Sequence, residues 1–390
     1  MKIAMIGQKR IPSREGGVEI AVEELATRMV TKQNSVTCFN RSGHSVAGAQ
    51  FDPAPTDSYR GVILKKVATV DRRGLAAASS SFFASVKAAF GDFDIVHYHA
   101  EGPACMCWIP KLFGKRVIVT VHGLDWARAK WGGFAAWYIR NGEKNAVRFA
   151  DEIIVLSRNV QKYFQDRYGR GTVFIHNGVN EPTLVPAETI RNQWGLEKDG
   201  YILYLGRLVP EKGIHYLIEA YIKADTDKKL VIAGGLSDSP DYADKLKKMS
   251  TKVIFTGFQQ GNVLAELLSN AYIYCLPSEL EGMPLSLLEA MSYGNCCLVS
   301  DIPECVEVVA DDAVYFKKGD VQDLTCKLQK LCDDPDLVDR YKKADRGAFL
   351  RNYSWDTAVD RTLAVYKGEQ FCGACDSTDS FAANNEERSV

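Results

Sequence analysis

The sequence predicts an α/β protein built from two doubly wound parallel-sheet domains that face one another across a cleft. Three observations carry this expectation. Short apolar runs alternate with helical patterns from one end of the chain to the other, and buried strands separated by helices form parallel sheets covered on both faces. The chain has 390 residues, and its strands are too many for one open sheet but suit two sheets with separate cores. Residues 177–200 carry two prolines and no clean strand before a fresh strand opens at Tyr201, so the division falls there.

In the first domain, residues 1–180, strands are expected at 2–6, 35–39, 62–65, 95–98, 117–121, 153–156 and 173–175. In the second, residues 198–353, they are expected at 202–205, 230–233, 253–255, 273–276, 297–299 and 314–316. Each is a short apolar run. Helices are expected at 18–30, 215–224, 263–270, 285–293 and 321–332, where apolar residues recur at helical spacing. Residues 354–367 read as a final helix. The tail 368–390 is polar with little to bury and is expected to be disordered.

Composition narrows the function. Hydrophobic residues make up 46% and charged residues 25% of the chain, the balance of a globular protein. Net charge is −1, so no global attraction to nucleic acid is expected. The most apolar stretch, residues 75–90, is short, rich in serine and interrupted by Lys87, so no membrane-spanning helix is expected. The first residues run from a strand straight into GQKR, with no signal-peptide pattern. Eleven scattered cysteines, mostly in apolar contexts, read as buried free thiols rather than a disulfide framework.

Ligands of open parallel sheets bind beyond the carboxyl ends of the strands, and the unusual residues collect there. SELEGMPLSLLEAMSYG places Glu281 in a loop before a helix and Glu289 about one turn inside it. Pro284 suits the first turn of that helix and Gly294 its end. The backbone N–H groups around Gly282, Met283, Leu285 and Ser286 suit an anion such as phosphate, and a carboxylate beside them suits sugar or ribose hydroxyls. A simple helix-capping region, with Glu281 as a favourable dipole charge, is the alternative.

LGRLVPEKG places Arg207 after a strand with Lys212 five residues on. Two cations in one loop neutralise a diphosphate without a metal, whereas each alone would be a solvated surface charge. IGQKRIPSREGGVE leads a strand through Gly16 and Gly17 into a helix, a loop that lets backbone approach phosphate or sugar but matches neither GxGxxG nor a Walker loop. VTVHG sets His122 at a strand end, against the ordinary alternative of a core histidine.

Other patterns carry less. His97 and His99 alternate by two and face the same way, but no third metal ligand has a recognisable spacing. Asp92 and Asp94 precede their strand, and Asp334 and Asp336 lie in a helix-ending loop, so neither DxD is read as a metal motif. Cys372 and Cys375 form a CxxC in the polar tail without a βαβ context. Residues 126–149 mix Trp and Phe with Arg and Lys. Such a face rests on anionic lipid, packs as a helix with its charges in water, or lines a sugar acceptor cleft.

Taken together, these motifs resemble family-4 glycosyltransferases of the two-domain GT-B fold, each domain Rossmann-like. EGMPLSLLEAM resembles that family's E-x7-E signature and LGRLVPEKG its Arg/Lys diphosphate loop. TVHG, ADEIIVLSRNV and IHNGV resemble its N-terminal landmarks. The opening IGQKRIPSREGGVE with HGLDWARAKWG is similar to a bacterial subgroup described as rhamnosyltransferases of surface polysaccharide synthesis. One departure is Arg14-Glu15, where the subgroup more often has a neutral or aromatic residue. The resemblance spans residues 1–366.

The resemblance implies that Arg207 and Lys212 hold the donor diphosphate, Glu289 the ribose hydroxyls and Glu281 the donor sugar near its reacting carbon. Gly17 would let backbone approach the donor, and His122 would lie near the donor sugar and orient or stabilise the transition state. Residues 177–178 would be the interdomain hinge, and the final helix would cross back onto the first domain. The donor would be a nucleoside-diphosphate sugar, with no cofactor or metal, and the product would retain anomeric configuration. The acceptor would be a glycan or lipid-linked glycan, placing the enzyme in the cytoplasm or on the inner face of the membrane. A nucleotide-sugar epimerase on the same fold and a non-catalytic sugar-nucleotide-binding scaffold are the competing expectations.

Overall fold

The structure, a computed structural model, describes residues 1–42, 56–70, 75–124, 126, 133–235, 240–343 and 345–369. The strands are β1 (Lys2–Ile6), β2 (Ser35–Arg41), β3 (Ser58–Tyr59), β4 (Val62–Val67), β5 (Ile95–His99), β6 (Arg116–Val121), β7 (Glu152–Val155) and β8 (Val173–Phe174). They continue as β9 (Tyr201–Leu205), β10 (Lys229–Ala233), β11 (Val253–Gly257), β12 (Ile273–Leu276), β13 (Cys296–Ser300) and β14 (Val314–Phe316). The helices of the first half are α1 (Gly17–Thr31), α2 (Leu75–Phe90), α3 (Glu101–Ala104), α4 (Trp108–Leu112), α5 (Gly133–Phe149), α6 (Arg158–Tyr168) and α7 (Thr189–Trp194). Those of the second are α8 (Ile214–Lys223), α9 (Pro240–Met249), α10 (Gly261–Ser269), α11 (Leu285–Ser292), α12 (Pro303–Val309), α13 (Val321–Asp333), α14 (Pro335–Lys342), α15 (Arg346–Asn352) and α16 (Trp355–Lys367).

Among the described residues the strands form two sheets. The 8-stranded sheet has the order β3-β4-β2-β1-β5-β6-β7-β8 and the 6-stranded sheet the order β11-β10-β9-β12-β13-β14. Pairing is parallel throughout except at the edge, where β3 runs antiparallel to β4. The two-residue β3 has no run of apolar residues, which is why periodicity does not reveal it. The central strands are buried on both faces, as in IVHYH of β5 and CCLVS of β13.

In each sheet the chain builds outward on one side and then crosses to the other. The reversal lies between β1 and β5 in the first sheet and between β9 and β12 in the second. Crevices at such reversals, beyond the carboxyl ends of the strands, are where open α/β sheets bind ligands. The loops leaving β1, β5, β9 and β12 carry the residues that the sequence singles out.

The stretch 75–90 is one helix, α2, and its serines explain how an apolar segment broken by polar residues is buried. Ser81 and Ser85 donate to carbonyls four residues back, at 2.7 and 2.6 Å, and Ser85 also meets the Tyr98 hydroxyl at 2.6 Å. No helix among the described residues is long and apolar enough to cross a membrane.

The segment joining the sheets is docked on the second one. Glu266 of α10, almost fully buried, accepts the backbone N–H of Glu188 and of Ile190, each at 3.0 Å. At the far end α16 returns to the first sheet. Arg116 donates to the Val365 carbonyl at 3.0 Å, and the Tyr366 hydroxyl lies 2.6 Å from His97 Nδ1. Nine described cysteines are free thiols, and six of them are buried. The CxxC at 372 and 375 and the tail from 370 lie outside the described residues.

Candidate active site

The second sheet's reversal point holds a buried ion pair. A 3-10 turn, Pro210–Lys212, follows β9 and ends at Gly213, whose φ of +63° suits glycine. A side chain there would put its Cβ 2.0 Å from the Pro277 carbonyl oxygen, so the loops after β9 and β12 are locked together. Across that contact Lys212 Nζ reaches Glu281 Oε1 at 2.5 Å, and Ser278 Oγ donates to the same oxygen at 2.7 Å. The two charged side chains are 14% and 8% exposed, so their attraction is little screened. Arg207 is half-buried in the same loop, with no ion pair among the described residues.

Helix α11 opens beside this pair. Pro284 is its N-cap, one residue earlier than the sequence suggests, and Gly294, with φ +76°, follows its C-cap, Tyr293. Leu285 and Ser286 supply the first-turn amides, and the Tyr274 hydroxyl donates to Ser286 Oγ at 2.9 Å. Glu289 is the fifth residue of the helix and faces the other domain. Arg14 Nη2 donates to its Oε1 at 2.6 Å. Burial pushes the Glu289 carboxyl up, and Arg14 pulls it back down.

The opposite wall belongs to the first sheet. Its loop 7–16 is pinned from within: Glu19 accepts the Lys9 N–H at 2.9 Å, and Glu23 accepts the Ser13 N–H at 3.2 Å. Gly16 is the N-cap of α1. At Gly17 an added Cβ would meet Leu285 Cδ1 at 3.6 Å, an ordinary contact, so the facing domain alone does not demand this glycine.

The walls also meet at Gly282. A Cβ there would lie 1.6 Å from the His122 carbonyl oxygen and 3.0 Å from Gly123 Cα. The Asn177 N–H donates to Met283 Sδ at 3.1 Å nearby. Farther along, Asn159 donates to Glu304 at 2.9 Å, and the Arg158 N–H donates to both oxygens of Glu307 at 3.2 and 3.0 Å. Burial pushes the Glu307 carboxyl up to about 7.

His122 is half-buried just past β6, and its Nε2 lies 3.1 Å from Nδ1 of the fully buried His99. His97 and His99 do share a face, with ring centroids 4.1 Å apart. His97 bonds Tyr366 and Thr120, and His99 bonds His122. Three of the four DxD carboxylates have structural partners. Asp92 pairs with Lys2, Asp94 accepts the Lys2 N–H at 2.7 Å, and Asp334 caps α14 through the Leu337 N–H at 3.0 Å.

The structure thus brings Lys212 and Glu281 into one cluster, with Arg207, Leu285 and Glu289 on the same wall and His122, Gly123, Gly16 and Gly17 on the other. Three contacts were not visible in the sequence: Ser278 on Glu281, His99 behind His122, and Arg14 on Glu289. The last joins residues 275 apart. In the aromatic, basic segment, Glu143 gathers Trp126, Tyr163 and Tyr168. An added Cβ at Gly142 would sit 1.8 Å from the Glu101 carbonyl oxygen, so α5 packs tightly on α3. Asp125, Arg128, Lys130 and Trp131 lie outside the described residues.

Known proteins share this plan. Residues 15–181 match the model described as Glycosyltransferase Family 4, and residues 186–348 match Glycosyl transferases group 1. D-inositol 3-phosphate glycosyltransferase of Gordonia bronchialis is 26% identical over 95% of this chain and 86% of its own length. Alpha-maltose-1-phosphate synthase of Mycolicibacterium smegmatis is 25% identical over 66% of this chain and 74% of its own. An N,N'-diacetylbacillosaminyl-diphospho-undecaprenol alpha-1,3-N-acetylgalactosaminyltransferase of Campylobacter jejuni is 29% identical over 47% of this chain and 50% of its own. Among solved structures, HepE of Anabaena in complex with UDP and glucose superposes with a TM-score of 0.77 at 17% identity, covering 94% of this chain and 100% of that one. With one glycosyltransferase model matched in each half and this architecture, the chain is a glycosyltransferase of the GT-B fold, a Family 4 domain joined to a group 1 domain.

Proposed function

We propose that the protein transfers a sugar from a nucleoside diphosphate to an acceptor hydroxyl on a growing or lipid-linked surface glycan, with retention of configuration and without a metal. The observation that carries this reading is the Lys212–Glu281 pair at the sheet reversal, beside Arg207 and the first turn of α11. As the glycosidic bond breaks, negative charge grows on the diphosphate. Two cations and helix amides already in place stabilise that charge without reorganising. This supply of positive charge supports metal-free chemistry. Glu281 Oε1 accepts from both Lys212 and Ser278, so its charge is committed to positioning the lysine rather than to attacking the sugar. That favours front-face attack, with the departing phosphate taking the acceptor proton. Glu289 receives the ribose once Arg14 gives way, and His122 faces the sugar. Contact of the walls at Gly282 excludes water and suppresses hydrolysis.

The lipid-linked acceptor draws support from the Campylobacter relative, whose name specifies a diphospho-undecaprenol substrate, and rhamnosyl transfer from the opening motifs. A membrane-facing surface is available on α2 and α4: Phe90 is 72% and Leu112 70% exposed, beside Lys87 and Lys111. The enzyme would then work on the inner face of the membrane. The double variant Phe90→Glu, Leu112→Glu is expected to lose co-sedimentation with anionic vesicles. Equal sedimentation of variant and wild type would refute this surface.

The donor assignment is tested by a thermal-shift screen against nucleoside diphosphates and their sugars in chelator, since a ligand of the folded state raises Tm. A selective rise that is lost in Lys212→Ala supports the reading, and no rise with any member contradicts it. Product formed from donor alone would indicate an epimerase. Donor binding without turnover in the presence of lipid-linked acceptors would indicate a scaffold.

A further inference from the structure

We propose that His99 is a positioning residue for His122, fixing it as the tautomer that carries its proton on Nδ1. The inference rests on the transferase reading only for what His122 then does. The tautomer itself follows from burial and hydrogen bonding.

His99 closes β5 at the reversal point of the first sheet, and its side chain is 0% exposed. Its backbone is wedged against the loop after β1: a Cβ on Gly7 would lie 2.2 Å from the His99 carbonyl oxygen. On the other side, β5 pairs with β6 so that His99 lies opposite Thr120, two residues before His122. The ring therefore has little freedom, and the His97 ring lies against it, tilted by 37° with centroids 4.1 Å apart. Burial holds His99 well below the usual histidine range, so it is neutral and carries one ring proton.

The position of that proton is decided by what each nitrogen meets. Nε2 is buried with no hydrogen-bond partner among the described residues, while Nδ1 lies 3.1 Å from His122 Nε2. A proton on Nε2 would strand a buried N–H donor, which native structures tolerate less readily than an unfilled acceptor. The proton therefore sits on Nδ1 and is donated to His122. His122 Nε2 must then be the acceptor, and a neutral His122 must carry its own proton on Nδ1. A histidine in that state donates through Nδ1 and does not act as a base through Nε2. His122 thus serves the sugar as a hydrogen-bond donor.

The test is 15N NMR of the uniformly labelled full chain without ligand, with His122 signals assigned by their loss in His122→Gln. The expected wild-type spectrum shows His122 protonated on Nδ1 and unprotonated on Nε2. In His99→Leu the solution preference returns and His122 shifts to the Nε2–H form, whereas His99→Asn keeps a donor in place and retains Nδ1–H. With the panel member that the wild type turns over, kcat is expected to fall about tenfold in His99→Leu at unchanged KM and to recover in His99→Asn. A wild-type His122 protonated on Nε2, or a folded His99→Leu with an unchanged tautomer, overturns the proposal. If His99→Leu does not fold, the wild-type and His99→Asn spectra decide it. A failed donor screen would leave this spectroscopic result intact, so the two readings fail separately.

Discussion

The two walls of the cleft are built differently. The wall of the second sheet is complete in itself: Lys212, Glu281 and Ser278 satisfy one another within the loops after β9 and β12, locked at Gly213. The wall of the first sheet reaches outward. Arg14 finds its carboxylate on α11, and the Arg158 N–H and Asn159 side chain find theirs on α12. A site held by its own domain keeps its geometry when the domains part, whereas contacts across the cleft exist only while the domains meet. The difference implies a division of labour, with donor binding on the second wall and orientation and closure supplied by the first.

The largest expected effect comes from breaking the self-contained wall. Lys212→Ala should reduce kcat by about 10²–10³-fold, the usual loss for one preorganised charge at a developing anion. It also leaves Glu281 buried without its cation, so the Tm should fall. The double variant Lys212→Ala, Glu281→Ala should regain stability but not turnover, as a double-mutant cycle by calorimetry and kinetics would show. Recovery of turnover in the double variant would mean that Lys212 acts only through Glu281.

A smaller effect is expected across the cleft. Arg14 covers the carboxylate assigned to the ribose, so Arg14→Ala should tighten nucleoside diphosphate binding about threefold, a change of roughly 0.6 kcal/mol. Weaker binding would show instead that the guanidinium moves onto the diphosphate when the donor enters.

The smallest effect is a pH dependence. Burial pushes the Glu307 carboxyl, which accepts the Arg158 N–H, up to about 7. Above that pH the contact holds an ionised carboxylate at a cost, and the cost fades as pH falls from about 7 to the ordinary carboxyl value of 4.5, below which it is gone. Glu307→Gln should therefore raise Tm by about 2 °C at pH 8 and by about half as much at pH 5.5. An equal shift at both pH values would show that Glu307 stays ionised in the contact.

Much of this molecule is legible in its sequence, for physical reasons that also mark where reading stops. Parallel strands buried on both faces show as unbroken apolar runs, so β1, β12 and β14 fall where the pattern puts them. The short β3 and the serine-rich α2 escape because pairing geometry and side-chain back-bonding, not periodicity, hold them. The donor wall is legible because its residues crowd two short segments, 205–213 and 278–294. Arg14 on Glu289 and His99 behind His122 are not, because only the folded sheets bring those pairs together. The two-residue alternation of His97 and His99 gave their shared face but no hint of what they would touch.

The comparison of the walls is tested most directly by isothermal titration of the nucleoside diphosphate chosen in the donor screen, in chelator, into wild type, Lys212→Ala and His122→Ala. The account predicts that binding survives His122→Ala nearly unchanged and is lost in Lys212→Ala. Binding that is lost in His122→Ala and kept in Lys212→Ala would contradict it, and would move the nucleotide to the first wall.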